Sequence, residues 1–169
     1  AGGGDRGDPP TDADGSGQCY LTGNADGNTD VDDGSTILTS PQMDASGEKV
    51  LGYWRWYDNS FGGSPYADTF VIEISDDNGS SWMNLETVGP TGSEVEGGWY
   101  YKEFTLGDIA GFDPNAEFRI RYTASDLGAG SVIEAAVDGI TLLEIDCEGD
   151  ACVGDVNDDG TVDVTDLLT

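Results

Sequence analysis

Asp68-Thr69-Phe70-Val71-Ile72-Glu73-Ile74-Ser75-Asp76-Asp77-Asn78-Gly79-Ser80-Ser81-Trp82 is the stretch that decides how the rest of the chain reads. Phe70, Ile72 and Ile74 point one way and Val71, Glu73 and Ser75 the other. That two-residue period is the mark of a strand with one buried face. Asp76 to Gly79 follows as an unbroken run of turn-forming residues, so the chain reverses there. Strands over Asp68–Ser75 and Ser81–Val88 joined by this turn make a β-hairpin.

The same pattern extends in both directions. Phe118, Ile120 and Tyr122 alternate with Arg119, Arg121 and Thr123. Val50, Trp54 and Trp56 share one face, opposite Leu51, Tyr53, Arg55 and Tyr57. Further strands are expected over Gln18–Thr22, Ser35–Ser40, Glu48–Tyr57, Gly98–Leu106, Glu117–Ala124 and Ala136–Ile145. Turn clusters rich in Gly, Asn, Asp and Pro separate them, and no segment carries a helical stripe. Short strands spaced by polar turns predict an all-β fold: a two-sheet jelly-roll β-sandwich. Residues 1–16 read as an irregular lead-in and 17–145 as the sandwich. Residues 146–154 form a cysteine-containing linker and 155–169 a calcium loop with the start of a helix. Arg6-Gly7-Asp8 spells an adhesion tripeptide, but three common residues in a glycine-rich tail match by chance.

The 169 residues include 34 acidic and six basic side chains, a formal charge of −28. A polyanion would be repelled, which argues against nucleic acid as a partner. No stretch has the apolar length that membrane insertion requires. Self-repulsion on this scale favours a chain that takes up cations. Cys147 and Cys152, four residues apart, are spaced to close a small disulfide loop in an oxidising compartment. Cys19 is then left as a buried thiol or as an alternative partner.

Asp155-Val156-Asn157-Asp158-Asp159-Gly160-Thr161-Val162-Asp163-Val164-Thr165-Asp166 has side-chain oxygens at loop positions 1, 3, 5, 9 and 12 and a glycine at 6. Asp155, Asn157, Asp159, Asp163 and Asp166, with the Thr161 carbonyl, form the ligand set that a looped backbone needs around Ca2+. A second calcium site is expected where Glu134 or Asp138 meets the Asp30, Asp32, Asp33 loop. Asp138 interrupts the apolar run from Val132 to Leu143, and a charge there needs a partner.

Several motifs resemble known families. Gly154–Asp163, with Leu167-Leu168 behind it, resembles the first calcium repeat of a dockerin, which implies docking to a cohesin-like protein. Ser75 to Trp82 resembles an Asp-box, a structural hairpin turn. Residues Asp8 to Leu143 look like the jelly-roll modules near the C termini of large secreted bacterial proteins, and are similar to MAM-type adhesion domains. Asp32–Pro41, Tyr53–Tyr57, Gly97-Gly98-Trp99, Arg119–Asp126 and Glu134–Ile140 carry that resemblance. Such modules begin with a further apolar strand. Without it a sheet edge would lie open to a strand from a neighbouring chain.

The aromatic-rich set divides into core and exposed members. Trp54 and Trp56 are expected in the core, and Tyr57, Tyr66 and Tyr101 are the candidates for stacking on sugar rings. With no histidine, Ser-His-Asp and Cys-His machinery is excluded, and no phosphate-binding glycine loop is present. The expectation is a non-catalytic, extracellular, calcium-binding sandwich serving attachment or assembly. One alternative is a subunit of a surface fibre completed by strand or loop exchange. Another is a carbohydrate-binding module.

Overall fold

The computed structural model describes residues 7–23 and 29–144. Eight strands are formed: β1 (Tyr20–Leu21), β2 (Gly34–Thr39), β3 (Lys49–Gly62), β4 (Phe70–Ser75), β5 (Met83–Val88), β6 (Tyr100–Thr105), β7 (Arg119–Asp126) and β8 (Ser131–Glu144). Sheet I has the order β1-β8-β3-β6 and sheet II the order β2-β7-β4-β5, with every pairing antiparallel. Apart from the β4–β5 hairpin, each successive strand crosses to the other sheet. That winding is the jelly roll.

Alternation puts one face of each strand into a shared core. Phe70, Ile72 and Ile74 of β4 meet Leu51, Tyr53 and Tyr57 of β3, with Phe118, Ile120 and Tyr122 beside them. Ring pairs hold the centre: Tyr53 lies edge-on to Tyr122 at 5.4 Å and Tyr57 stacks on Phe70 at 5.7 Å. The core of β3 is thus the Leu51–Tyr57 face. Trp54 and Trp56 lie on the opposite, outer face, which corrects their expected place. Both faces of β3 are aromatic, so alternation defines two faces there without saying which one turns inward.

The hairpin is built as its sequence implies. Asp77 Oδ1 accepts from the Ser81 N–H at 2.8 Å and Asp77 Oδ2 from the Ser81 hydroxyl at 2.6 Å. These bonds hold the Asp77 carboxyl well down, at about 2. Gly79 takes φ +89°, a region that side chains disfavour. At the far edge of the sandwich, Arg55 is almost fully buried between the sheets, paired with Glu86 and Glu94, and Lys102 joins them.

β3 and β8 run further than their sequence suggests. The expected strand ends at Tyr57 and a turn is read from Asn59, but β3 continues through Gly62, accommodated by an irregularity in register between Asp58 and Phe61. β1 is short: it pairs only Tyr20 with Val137 and Leu21 with Ala136. Beyond it the outer edge of β8 carries no strand among the described residues. Between this edge and β2 opens a cleft of 540 Å³ lined in part by Cys19, Leu38, Met43, Tyr122 and Ile140.

Candidate metal centre

Residues 7–17 form no strand. They run as a strap across the outer face of sheet I. The indole N–H of Trp56 donates to the Gly7 carbonyl at 2.7 Å, and that of Trp99 to the Thr11 carbonyl at 2.9 Å. Trp56 and Trp99 meet edge-on at 5.8 Å and are half-buried. Each tryptophan covers its apolar body while its N–H finds a carbonyl. Strap and sheet are close: a Cβ on Gly7, at φ +104°, would sit 3.0 Å from the Asp58 Cγ. Only glycine passes there.

This strap brings carboxylates together from distant positions. The β3–β8 register sets Asp58 opposite Glu134, Trp56 opposite Ala136 and Trp54 opposite Asp138, all on the outer face. Asp8, carried by the strap, lands beside Glu134. Asp8, Asp58 and Glu134 are all buried, and Asp30 acts on Glu134 from the β1–β2 connection. Thr22 Oγ1 donates to Glu134 Oε2 at 2.5 Å. Burial first, then the charges of Asp8 and Asp30, push the Glu134 carboxyl up to about 8. Across the ladder, the Asp58 Oδ1 accepts from the Ser60 N–H at 2.8 Å and the Ser60 hydroxyl at 2.7 Å. Asp8, Asp30 and the Thr22 hydroxyl are the all-oxygen, net-negative neighbours of the buried Glu134 carboxyl. That donor set suits a hard cation such as calcium, which takes six to eight oxygens. Asp8 sits in this cluster, so the Arg6-Gly7-Asp8 tripeptide does not display its carboxylate to solvent.

The structure separates the expected second site into parts. Glu134 and Asp30 come together as above. Asp138 does not join them. It lies one strand turn away under the strap, where its Oδ2 accepts from the Ala13 N–H at 2.8 Å and the Asp14 N–H at 3.2 Å. Its Oδ1 accepts from the Gly139 N–H at 2.8 Å. Those backbone donors are the partner that a charge in the Val132–Leu143 run requires. Asp12 and Asp14 bring carboxylate oxygens within 4.8 Å of it and of each other. Asp32 and Asp33 are exposed, and the Asp33 backbone N–H donates to Asp126 of β7, on the other sheet. Asp8 and Asp58 are the neighbours of Glu134 that sequence reasoning missed. Asp8 stands in a Gly-Pro lead-in with no periodicity, and Asp58 just past the expected strand end at Tyr57. The usable signal was the β3–β8 pairing, which places Asp58 across from Glu134.

Of the stacking candidates, Tyr57 is withdrawn: its ring is 0% exposed and packed between the sheets. Tyr66 and Tyr101 are 39% and 44% exposed. Tyr66 donates its hydroxyl to Glu96 at 2.8 Å, and Tyr101 leans on Trp54 with centroids 5.2 Å apart. They stand on different elements and do not share one platform. The terminal loop residues Asp155, Asn157, Asp159, Thr161, Asp163 and Asp166, and the pair Cys147 and Cys152, lie outside the described residues. No helix among the described residues is long and apolar enough to cross a membrane.

No protein-family model matches the chain, and no curated protein matches it. The solved structures similar to it include the following two. One is the K3 cleaved adhesin domain of Lys-gingipain (Kgp) from Porphyromonas gingivalis W83, at 13% identity over 76% of this chain and 75% of that one, with a TM-score of 0.43. The other is a CBM4 structure, at 13% identity over 64% of this chain and 71% of that one, with a TM-score of 0.37.

Proposed function

We propose that this chain is a non-catalytic, calcium-stabilised sandwich module of an extracellular protein, serving attachment or assembly. The observation that carries the reading is the buried Glu134 carboxyl, with Asp8 delivered beside it by the strap and Asp30 acting on it from the β1–β2 connection. Three carboxylates brought together in a chain of net charge −28 are held together most simply by a divalent cation. Calcium bound there joins the strap to β8, so ion uptake and closure of the strap are one event. Glu134 is the anchor ligand, Asp8 the ligand the strap delivers, and Asp30 completes the charge. The terminal loop Asp155–Asp166 holds a second ion by its ligand spacing and offers the docking element, with a cohesin-like protein or a further copy of the chain as its partner.

Self-assembly is favoured over other partners by one feature: among the described residues, no strand pairs with the outer edge of β8 past its Tyr20–Val137 pair. Unpaired backbone groups on a sheet edge accept a strand from another chain. Light scattering and negative-stain microscopy of the purified protein, with calcium and with chelator, test this reading. Calcium-dependent higher-order particles are expected. Monodisperse monomers at high concentration in calcium contradict assembly, and a melting temperature indifferent to chelator contradicts the structural ion.

A further inference from the structure

A second pair of carboxylates lies on the other sheet and faces the opposite way. The β4–β7 register pairs Ile72 with Tyr122 and Phe70 with Ala124. That is the last bonded pair of the ladder, and its register carried two residues further sets Asp68 opposite Asp126. Both continue the inward-facing rows of their strands, and both are more than nine-tenths buried, at 4% and 2% exposed. The N–H of Leu127, the residue after Asp126, donates to Asp68 Oδ1 at 2.7 Å, so the Asp68 side chain reaches the end of β7 where Asp126 stands. Opposed residues in an antiparallel pair have Cβ atoms roughly 4.5–5.5 Å apart, and like charges there repel.

The two carboxylates are unequally served. Asp126 Oδ1 accepts from the Ser131 N–H at 3.1 Å and Oδ2 from the Asp33 N–H at 3.4 Å. Asp68 Oδ2 is buried and has no hydrogen-bond partner among the described residues. No lysine or arginine among the described residues forms an ion pair with either. An ionised oxygen held out of water beside a second carboxylate calls for positive charge. There is room for it. Gly34 is the partner of Asp126 across β2, and a Cβ built on it would meet nothing within 4 Å. Paired residues share a face, so that space borders the Asp126 side chain.

We propose that Asp68 and Asp126 hold a hard divalent cation of the calcium class at the end of sheet II, a site separate from the Glu134 cluster. The ion takes Asp68 Oδ2 and an Asp126 oxygen, with water completing its shell from the Gly34 side. Bound there, it ties the β4–β7 end to the Asp30–Asp33 loop, whose Asp33 N–H already rests on Asp126. The competing solution for two opposed carboxylates is a shared proton.

Native mass spectrometry of the full chain in calcium decides between them. The parent is compared with Asp68→Asn, Asp126→Asn and Glu134→Gln. Asp68→Asn and Asp126→Asn are each expected to bind one calcium fewer than the parent, and adding Glu134→Gln to either removes a further one. An unchanged calcium count in both folded variants, with melting temperatures above the parent's, overturns the proposal and assigns the pair a proton. Should Asp126→Asn fail to fold, Asp68→Asn decides alone, because its amide oxygen still accepts from the Leu127 N–H. Loss of an ion from Glu134→Gln but not from Asp68→Asn sinks this site and leaves the Glu134 reading standing. The reverse sinks only the latter.

Discussion

Replacing Glu134 by glutamine has opposite effects with and without calcium. The Glu134 carboxyl is pushed from 4.5 up to about 8 by burial and by Asp8 and Asp30. Below pH 4.5 it is protonated in folded and unfolded chains alike and costs nothing. As pH rises from 4.5 towards 8 the unfolded chain releases the proton and the folded chain keeps it, so the ion-free fold loses stability. At pH 7 the interval is ~2.5 pKa units, which at 1.36 kcal/mol each is roughly 3 kcal/mol. Glutamine keeps the shape and removes that penalty. In chelator at pH 7, Glu134→Gln should therefore melt higher than the parent, by roughly 6–12 °C at ~2–4 °C per kcal/mol for a domain of this size. In millimolar calcium the order inverts, because the parent gains the ion and the variant has lost its anchor ligand. Differential scanning calorimetry in the two buffers measures both. A variant that melts below the parent in chelator, or that gains as much from calcium as the parent does, refutes the reasoning.

Other perturbations test the frame around the site. Asp77, held down at about 2 by its hairpin hydrogen bonds, contributes stability above the ordinary carboxylate value of 3.8 that fades as pH falls towards 2. Asp77→Asn should flatten that acid limb in a pH series of melts. Ile72→Ala empties a fully buried position between the sheets and should cost about 2–5 kcal/mol in a urea titration. Arg55→Met leaves Glu86 and Glu94 facing each other with only Lys102 between them, and should cost about 3–5 kcal/mol. Adding Glu86→Gln to it should recover part of that loss. Tyr101→Ala should leave the melting temperature within about 1 °C, as expected for an exposed ring. Loss of binding to a polysaccharide gel on this change would support the carbohydrate reading.

The sandwich was legible where one face of a strand is apolar and the other polar. Phe70-Ile72-Ile74 and Phe118-Ile120-Tyr122 carry that contrast, and their inward faces follow from it. β3 lacks it, because Trp54 and Trp56 oppose Tyr53 and Tyr57. The outer pair is covered by a strap whose composition gives no hint that it packs. Asp138 stood out as a charge in an apolar run and Glu134 as a candidate ligand beside it, and both proved buried. Their partners were hidden for a different reason. Asp8 reaches Glu134, and Ala13 and Asp14 reach Asp138, across more than a hundred residues of chain. Contacts of that separation are set by strand order, which periodicity does not encode. The Asp-box was readable because its bonds are local, from Asp77 to Ser75 and Ser81.

The most direct test is a calcium titration of the chelator-treated protein, followed at once by melting temperature and by light scattering. The account predicts a saturable rise in melting temperature at low calcium, as the ion ties Asp8 of the strap to Glu134 of β8. A rise in scattering should follow as copies associate. A melting temperature that stays level across the titration would contradict it.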